Sequence, residues 1–187
     1  MLNTNTFLTY RYSEIIQDLT EEFCEKFLRG YELVRLRQQM TQAARSGKQN
    51  IIEGVGQSRT SKKGEIKLLG VANASLEELL ADYEDFLRKR KLAIWPKTDE
   101  KVSRVRHYAF RITAISNLND LGYLKENAKL PYNSEIAANL LLTLCHQVTF
   151  LLFQQIAKME EKFVEDGGYT ENLFKKRLQA KIAEESP

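Results

Sequence analysis

Cys145 and His146 are the sequence's nearest approach to a nucleophile beside its base. Adjacent side chains on a helix point about 100° apart and do not face each other, so Cys145, inside an apolar helical pattern, reads as a small core residue. Helical bundles can hold paired metals through Glu-x-x-His motifs. Here the residue three before His107 is Arg104 and that before His146 is Thr143. Cys24 is far from Cys145 in sequence and also sits in an apolar pattern, so neither a disulfide nor a thiolate metal site is expected. Glu77, Glu78, Asp82, Glu84 and Asp85 crowd one stretch, but their spread around a helix and their basic neighbours describe a solvated face. Gly54-Val55-Gly56 lacks the Walker lysine pattern and a preceding strand, leaving turn chemistry. These residues indicate no enzyme, no catalytic residue, no cofactor and no metal.

The remaining chemistry is positive charge. From Arg29 to Lys67 nine Lys or Arg stand against Glu32, Glu53 and Glu65, a surplus of six in a chain whose net charge is +3. On an unbroken helix Lys48 lies about 20° and Arg45 about 80° from Arg37, beside the face of Leu36, Met40, Ala43 and Ala44. Lys62 and Lys63 stand at the start of the next helix, where its dipole disfavours cations by roughly 0.3–1 kcal/mol. Such side chains can neutralise phosphates. By contrast Arg88, Lys89, Arg90 and Lys91 close a helix, where cations are favoured and Glu84 to Arg88 and Asp85 to Lys89 form i to i+4 pairs. No helix-turn-helix, zinc-finger or RNA-recognition motif is present, so any nucleic-acid contact is expected to be backbone-driven.

The elements that must position these residues are helical. The chain has 187 residues with 43% hydrophobic and 28% charged, and only three prolines, a composition suited to long helices around one core. Apolar positions recur at helical steps over Tyr12–Leu28, from Leu33 to the Ser46–Gly47 pair with continuation through Ile52, from Ser61 as N-cap to about Lys91, and from Ile136 to Phe163. Gly54, Gly56, Ser58, Thr60 and Ser61 read as a turn. Trp95–Pro96 breaks the pattern, Val102 to Ile112 suggests another helix, and 117–131 reads as irregular. Gly167 and Gly168 close the last long helix, and a short basic amphipathic tail follows. The expectation is an all-α, up-and-down four-helix bundle over 1–167 with a helical insertion at about 95–131, and a helical tail over 168–187. No basic segment followed by an apolar signal core opens the chain, and no stretch approaches the roughly 20 apolar residues of a membrane span. A cytoplasmic protein with no membrane partner is expected.

Around the basic joint, Ala43, Ala44, Ser46, Asn50, Ile51, Glu53, Gly54, Ser61, Lys62, Glu65, Ala72, Ser75, Leu76, Glu78 and Leu79 follow a recognisable order. It resembles the bacterial four-helix-bundle family of proteins encoded in 23S ribosomal RNA intervening sequences, which includes the accessory proteins of diversity-generating retroelements. That pattern runs Ala-Ala-x-Ser-Ile-Pro-Ser-Asn-Ile-Ala-Glu-Gly, then a Ser/Lys turn, then Ile-Ala-x-Gly-Ser-Leu-x-Glu-Leu. Gly47, Lys48 and Gln49 replace Ile-Pro-Ser, Ile52 replaces Ala and Ala74 replaces Gly. With the proline gone, Gly47 is expected to supply the family's bend, and Asn50 and Glu53 to hydrogen-bond around it.

The resemblance covers about 12–92 plus the final long helix. It implies a homo-oligomeric ring, pentameric where the family is structurally known, with a basic surface for RNA or DNA. In the retroelement members it implies a reverse transcriptase as protein partner. The expected function is a non-enzymatic oligomeric binder of nucleic-acid backbone through Arg37, Arg45, Lys48, Arg59, Lys62, Lys63 and Lys67, with Ala43, Ala44, Asn50, Glu53, Gly54 and Ser75 as architecture. The alternative is a protein-binding scaffold that presents the insertion or the tail to a partner.

Overall fold

The computed structural model describes residues 4–58, 60–113 and 129–185. Among them there are six α-helices and one 3-10 turn, with no strand, and the protein is all-α. The helices are α1 (Thr4–Phe27), α2 (Val34–Gln57), α3 (Lys62–Lys89), α4 (Glu100–Thr113), α5 (Ser134–Asp166) and α6 (Tyr169–Glu185). The 3-10 turn Tyr31–Leu33 leads into α2.

Four long helices share one core. α1 packs on α2 and α5, and α3 packs on the same two, so each has two long neighbours. Neighbours run antiparallel. Gly54 of α2 lies against Leu68, Gly47 against Leu76, and Gln39 donates towards Glu78 and Asp82. Between α1 and α5, Thr9 bonds Gln155 at 3.3 Å while the Lys26 ammonium lies 5.0 Å from the Tyr132 ring. Fully buried Ile16, Phe23, Met40, Ile51, Leu69, Leu76, Leu79, Tyr83 and Leu152 fill the centre. Phe23 meets Tyr83 edge-on with ring centroids 5.1 Å apart, and the Tyr83 hydroxyl donates to Thr20 Oγ1 at 2.9 Å, so the buried phenol is satisfied. Arg11 is buried to the same depth, a core position that apolar periodicity does not reveal.

The Gly47 bend and the 54–61 turn are corrected. α2 is unbroken from Val34 to Gln57, with Gly47 and Gly54 buried inside it. A Cβ on Gly47 would stand 2.7 Å from Leu76 Cγ, and one on Gly54 would stand 3.4 Å from the Glu65 carbonyl oxygen. These glycines permit close approach of α3 rather than a turn. α2 ends at Gln57 and α3 opens at Lys62, with Ser61 as its N-cap, the hydroxyl accepting from Gly64 N at 2.9 Å.

α3 ends in a Schellman motif. Leu92 N donates to Leu87 O at 2.9 Å and Lys91 N to Arg88 O at 3.1 Å, with Lys91 left-handed at φ 54°. The chain then runs extended through Ala93–Trp95, clamped by buried Asn139 of α5. The Asn139 amide nitrogen donates to Ala93 O at 2.8 Å and its oxygen accepts from Trp95 N at 2.8 Å. α4 then packs on α5 through buried Val102 and Ala109. The irregular stretch expected at 117–131 falls mostly outside the described residues.

α5 corrects the hydropathy expectation. The stretch Ser134–Ile182 holds an 18-residue window of mean hydropathy 1.8, long and apolar enough by length and composition to cross a membrane. Interspersed Asn139, Thr143, His146 and Thr149 hide this from a search for a purely apolar run. In the fold 61% of that window is buried, against α1, α3 and α4.

Candidate nucleic-acid interface

The structure divides the predicted basic residues by flank. Arg37 lies on the α1 side of α2, where its Nη1 donates to Leu28 O at 3.1 Å and so caps the end of α1. Lys48 is half-buried and shares that side of the helix by its spacing, while Arg45 is exposed between the flanks. Ser46 and Gln39 mark the opposite flank, facing α3, through the 3.0 Å contact of Ser46 Oγ with Ser75 Oγ and the Gln39 bonds. Arg37 and Lys48 are therefore not continuous with the cations of α3. Arg59 lies outside the described residues.

On α3 the first cation is held in place. Lys62 Nζ lies 3.1 Å from Glu65 Oε2, and the Glu65 side chain is only 9% exposed. This pairing offsets the unfavourable dipole position and gives Lys62 a structural job. Lys63 and Lys67 are exposed and form no ion pair with a described residue. With Gly70, Ala74 and Glu77 they fall within about 40° of one line along α3, its outward face.

Of the residues assigned to architecture, Gly54 and Ser75 lie at the α2–α3 contact. Gly47 and Gly54 face Leu76 and Leu69, Ser46 meets Ser75, and Ala43 is buried on the same side, whereas Ala44 is buried on the flank of Arg37. Asn50 donates to Ser46 O at 2.9 Å and to Ser46 Oγ at 3.2 Å, inside a continuous helix. Glu53 is exposed. Because α2 does not break there, neither residue bonds around a bend.

The carboxylate cluster is not uniformly solvated. Asp82 is half-buried and its pKa is pushed up to about 6, first by burial and then by Glu78 and Asp85. Gln39 Nε2 reaches Glu78 Oε1 at 3.5 Å and Asp82 Oδ1 at 3.4 Å. Asp85, rather than Glu84, pairs with Arg88 at 2.6 Å and also with Lys89 at 2.9 Å. Cys24 and Cys145 are buried free thiols, and burial pushes Cys24 up to about 12 and Cys145 further. Both stay protonated near neutrality and are poor nucleophiles. Among the described residues no three His, Cys, Asp or Glu side chains converge as a metal site.

One concavity escaped the sequence reading, an open groove of about 580 Å³ where α3, the 90–99 connection, α4 and α5 meet. Lys97, Arg106, His146, Phe150 and Phe153 line it, with Glu77 at its α3 edge. The His146 pKa is lowered by burial and by Lys97 and Arg106, with Glu84 opposing them, so the imidazole is neutral near pH 7. Phe150 and Phe153 are 61% and 65% exposed. The one signal for them was their position: at i and i+3 they fall off the Leu144–Val148–Leu152 core face.

Comparison with protein-family models, curated proteins and solved structures finds no significant match.

Proposed function

We propose that this protein is a non-enzymatic, oligomeric nucleic-acid-binding helical protein of the kind found in the 23S intervening-sequence family, with a ring assembly of bundles. The observation that carries the reading is the outward face of α3, where Lys63 and Lys67 stand exposed with no described carboxylate to neutralise them. Arg45, exposed on α2, adds to the same positive stretch of chain. Each cation that meets a phosphate releases counterions, and repetition around a ring multiplies a modest patch. Ser46, Gly54 and Ser75 support the resemblance, because these positions of its pattern lie where α2 meets α3. We read α5 as a core helix and the protein as cytoplasmic, since most of the apolar window is covered by neighbouring helices. A reverse transcriptase as partner comes from the resemblance alone.

The test is charge reversal away from structural pairs. Arg45→Glu, Lys63→Glu and Lys67→Glu together should leave the circular-dichroism melt unchanged and reduce affinity for structured RNA at least tenfold. Unchanged affinity removes these residues from the interface. Lys62 and Arg37 are left alone because each holds a contact of the fold.

A second reading has its own observation. Phe150, Phe153 and Val164 are exposed on α5, and Tyr169, Phe174 and Leu178 on α6, which makes few contacts with the other described helices. A protein-binding scaffold would use this apolar surface. It predicts partner capture that nuclease treatment does not affect.

A further inference from the structure

The groove beside α5 combines two chemistries that the basic face of α3 lacks. Phe150 and Phe153 stand on one face of α5, about 60° apart in projection; both line the groove and are mostly exposed. Lys97 and Arg106 reach it from different elements, and neither forms an ion pair with a described residue. The carboxylate lining it, Glu77, already accepts from Asn73 Nδ2 at 2.8 Å. Neutral His146, the Gln147 amide and the Thr149 hydroxyl supply hydrogen-bonding groups along its wall. Lys97 is not on a loose loop: the Asn139 clamp on Ala93 and Trp95 fixes the chain two residues before it. The groove is also continuous with the outward face of α3. Lys63, Lys67, open Gly70 and exposed Ala74 lead along one line to Glu77, a rise of about 21 Å.

We propose that this groove binds single-stranded nucleic acid, with unpaired bases stacked on Phe150 and Phe153 and the adjoining phosphates held by Lys97 and Arg106. Aromatic rings beside cations match the alternation of base and phosphate along a single strand. A duplex keeps its base faces stacked internally and cannot offer them to the rings. The open path of small residues on α3 gives the strand's backbone a route from Lys63 and Lys67 to the groove. This inference rests on reading the protein as a nucleic-acid binder, but not on the α2–α3 joint being the site.

The experiment is an anisotropy titration of the full chain with labelled oligouridine, oligothymidine and a duplex, each of about twelve nucleotides, within the span of a small binding domain. Phe150→Ala with Phe153→Ala should weaken both single strands by about tenfold or more per ring and leave duplex binding and the melting curve unchanged. Phe150→Leu with Phe153→Leu, which keeps apolar surface without rings, should lose nearly as much. Lys97→Glu with Arg106→Glu should weaken the single strands and flatten their salt dependence. Unchanged single-strand affinity in the alanine pair overturns the proposal, whether or not the variant changes oligomeric mass; a change in mass alone assigns the rings to an interface between copies. If only Lys63→Glu with Lys67→Glu lowers binding, of single strands and duplex alike, the function stands and the groove falls. If the wild type binds neither single strands nor duplex, both readings fall. Oligouridine against oligothymidine separates RNA from DNA as the preferred strand.

Discussion

At the scale of single residues, Asp82 and Lys91 each hold an unfavourable state that substitution should relieve. The Asp82 pKa, about 6, lies above its ordinary value of 3.8, so the folded protein binds this proton more tightly than the unfolded chain does. Its contribution is greatest below the unfolded value and is lost as pH rises through 6. Asp82→Asn, which keeps an acceptor for Gln39, should therefore stabilise at pH 7 by about 1 kcal/mol, a figure reduced for the group's partial exposure, and should change almost nothing at pH 3, below the unfolded value. Urea denaturation of both proteins at the two pH values checks this; equal stabilities at pH 7 contradict it. Lys91 occupies the left-handed position of the α3 C-cap, where glycine is favoured. Lys91→Gly should raise stability by about 0.5–1 kcal/mol in the same assay. The sequence announced neither residue, since Asp82 owes its state to burial beside α2 and Lys91 to its position after the last turn of α3. It did announce Ser61, because an N-cap is a local bond between a hydroxyl and an amide three residues on.

At the level of elements, helix periodicity located α2, α3, α4 and α5 but began α1 at Tyr12, eight residues after its start at Thr4, and glycine misled where it served packing. Gly47 and Gly54 resemble turn residues in sequence, yet both lie within α2, and the reason is Leu76 and the Glu65 carbonyl on the opposite helix. No local pattern carries that information. Gly47→Ala should cost a net 1–2 kcal/mol or so, because overpacking against Leu76 outweighs the gain of about 1 kcal/mol in helix propensity. Gly70→Ala, at a site where a Cβ meets nothing within 4 Å, should instead stabilise by about 0.5–1 kcal/mol. Thermal melts of the two variants should move in opposite directions; a rise for Gly47→Ala would contradict the close approach of α2 to α3. The connection after α3 was legible as a break at Pro96, but its anchorage by Asn139 was not. A buried asparagine in an apolar helix gives no sign of which distant backbone it will bind.

At the scale of the whole molecule, the all-α class followed from composition and period, while the arrangement of charge needed three dimensions. Of the seven cations chosen by proximity in sequence, the six among the described residues separate by flank and by helix once α2 is seen to be unbroken. Arg37 caps α1, Lys62 is held by Glu65, and Lys63 and Lys67, on an outward face, form no ion pair with a described residue. The groove of Lys97, Arg106, Phe150 and Phe153 unites residues up to fifty-six positions apart in the chain, and only the fold brings them together. We propose that this basic surface binds nucleic acid through its phosphates. Its most direct test is the affinity of the wild-type protein for labelled structured RNA and duplex DNA across a salt series, on material whose mass is fixed by light scattering. The expected result is an oligomer whose log affinity falls linearly and steeply with log salt, by roughly one unit of slope per phosphate contacted. A protein that binds neither nucleic acid even at low salt would contradict it and leave the exposed rings of α5 to a protein partner.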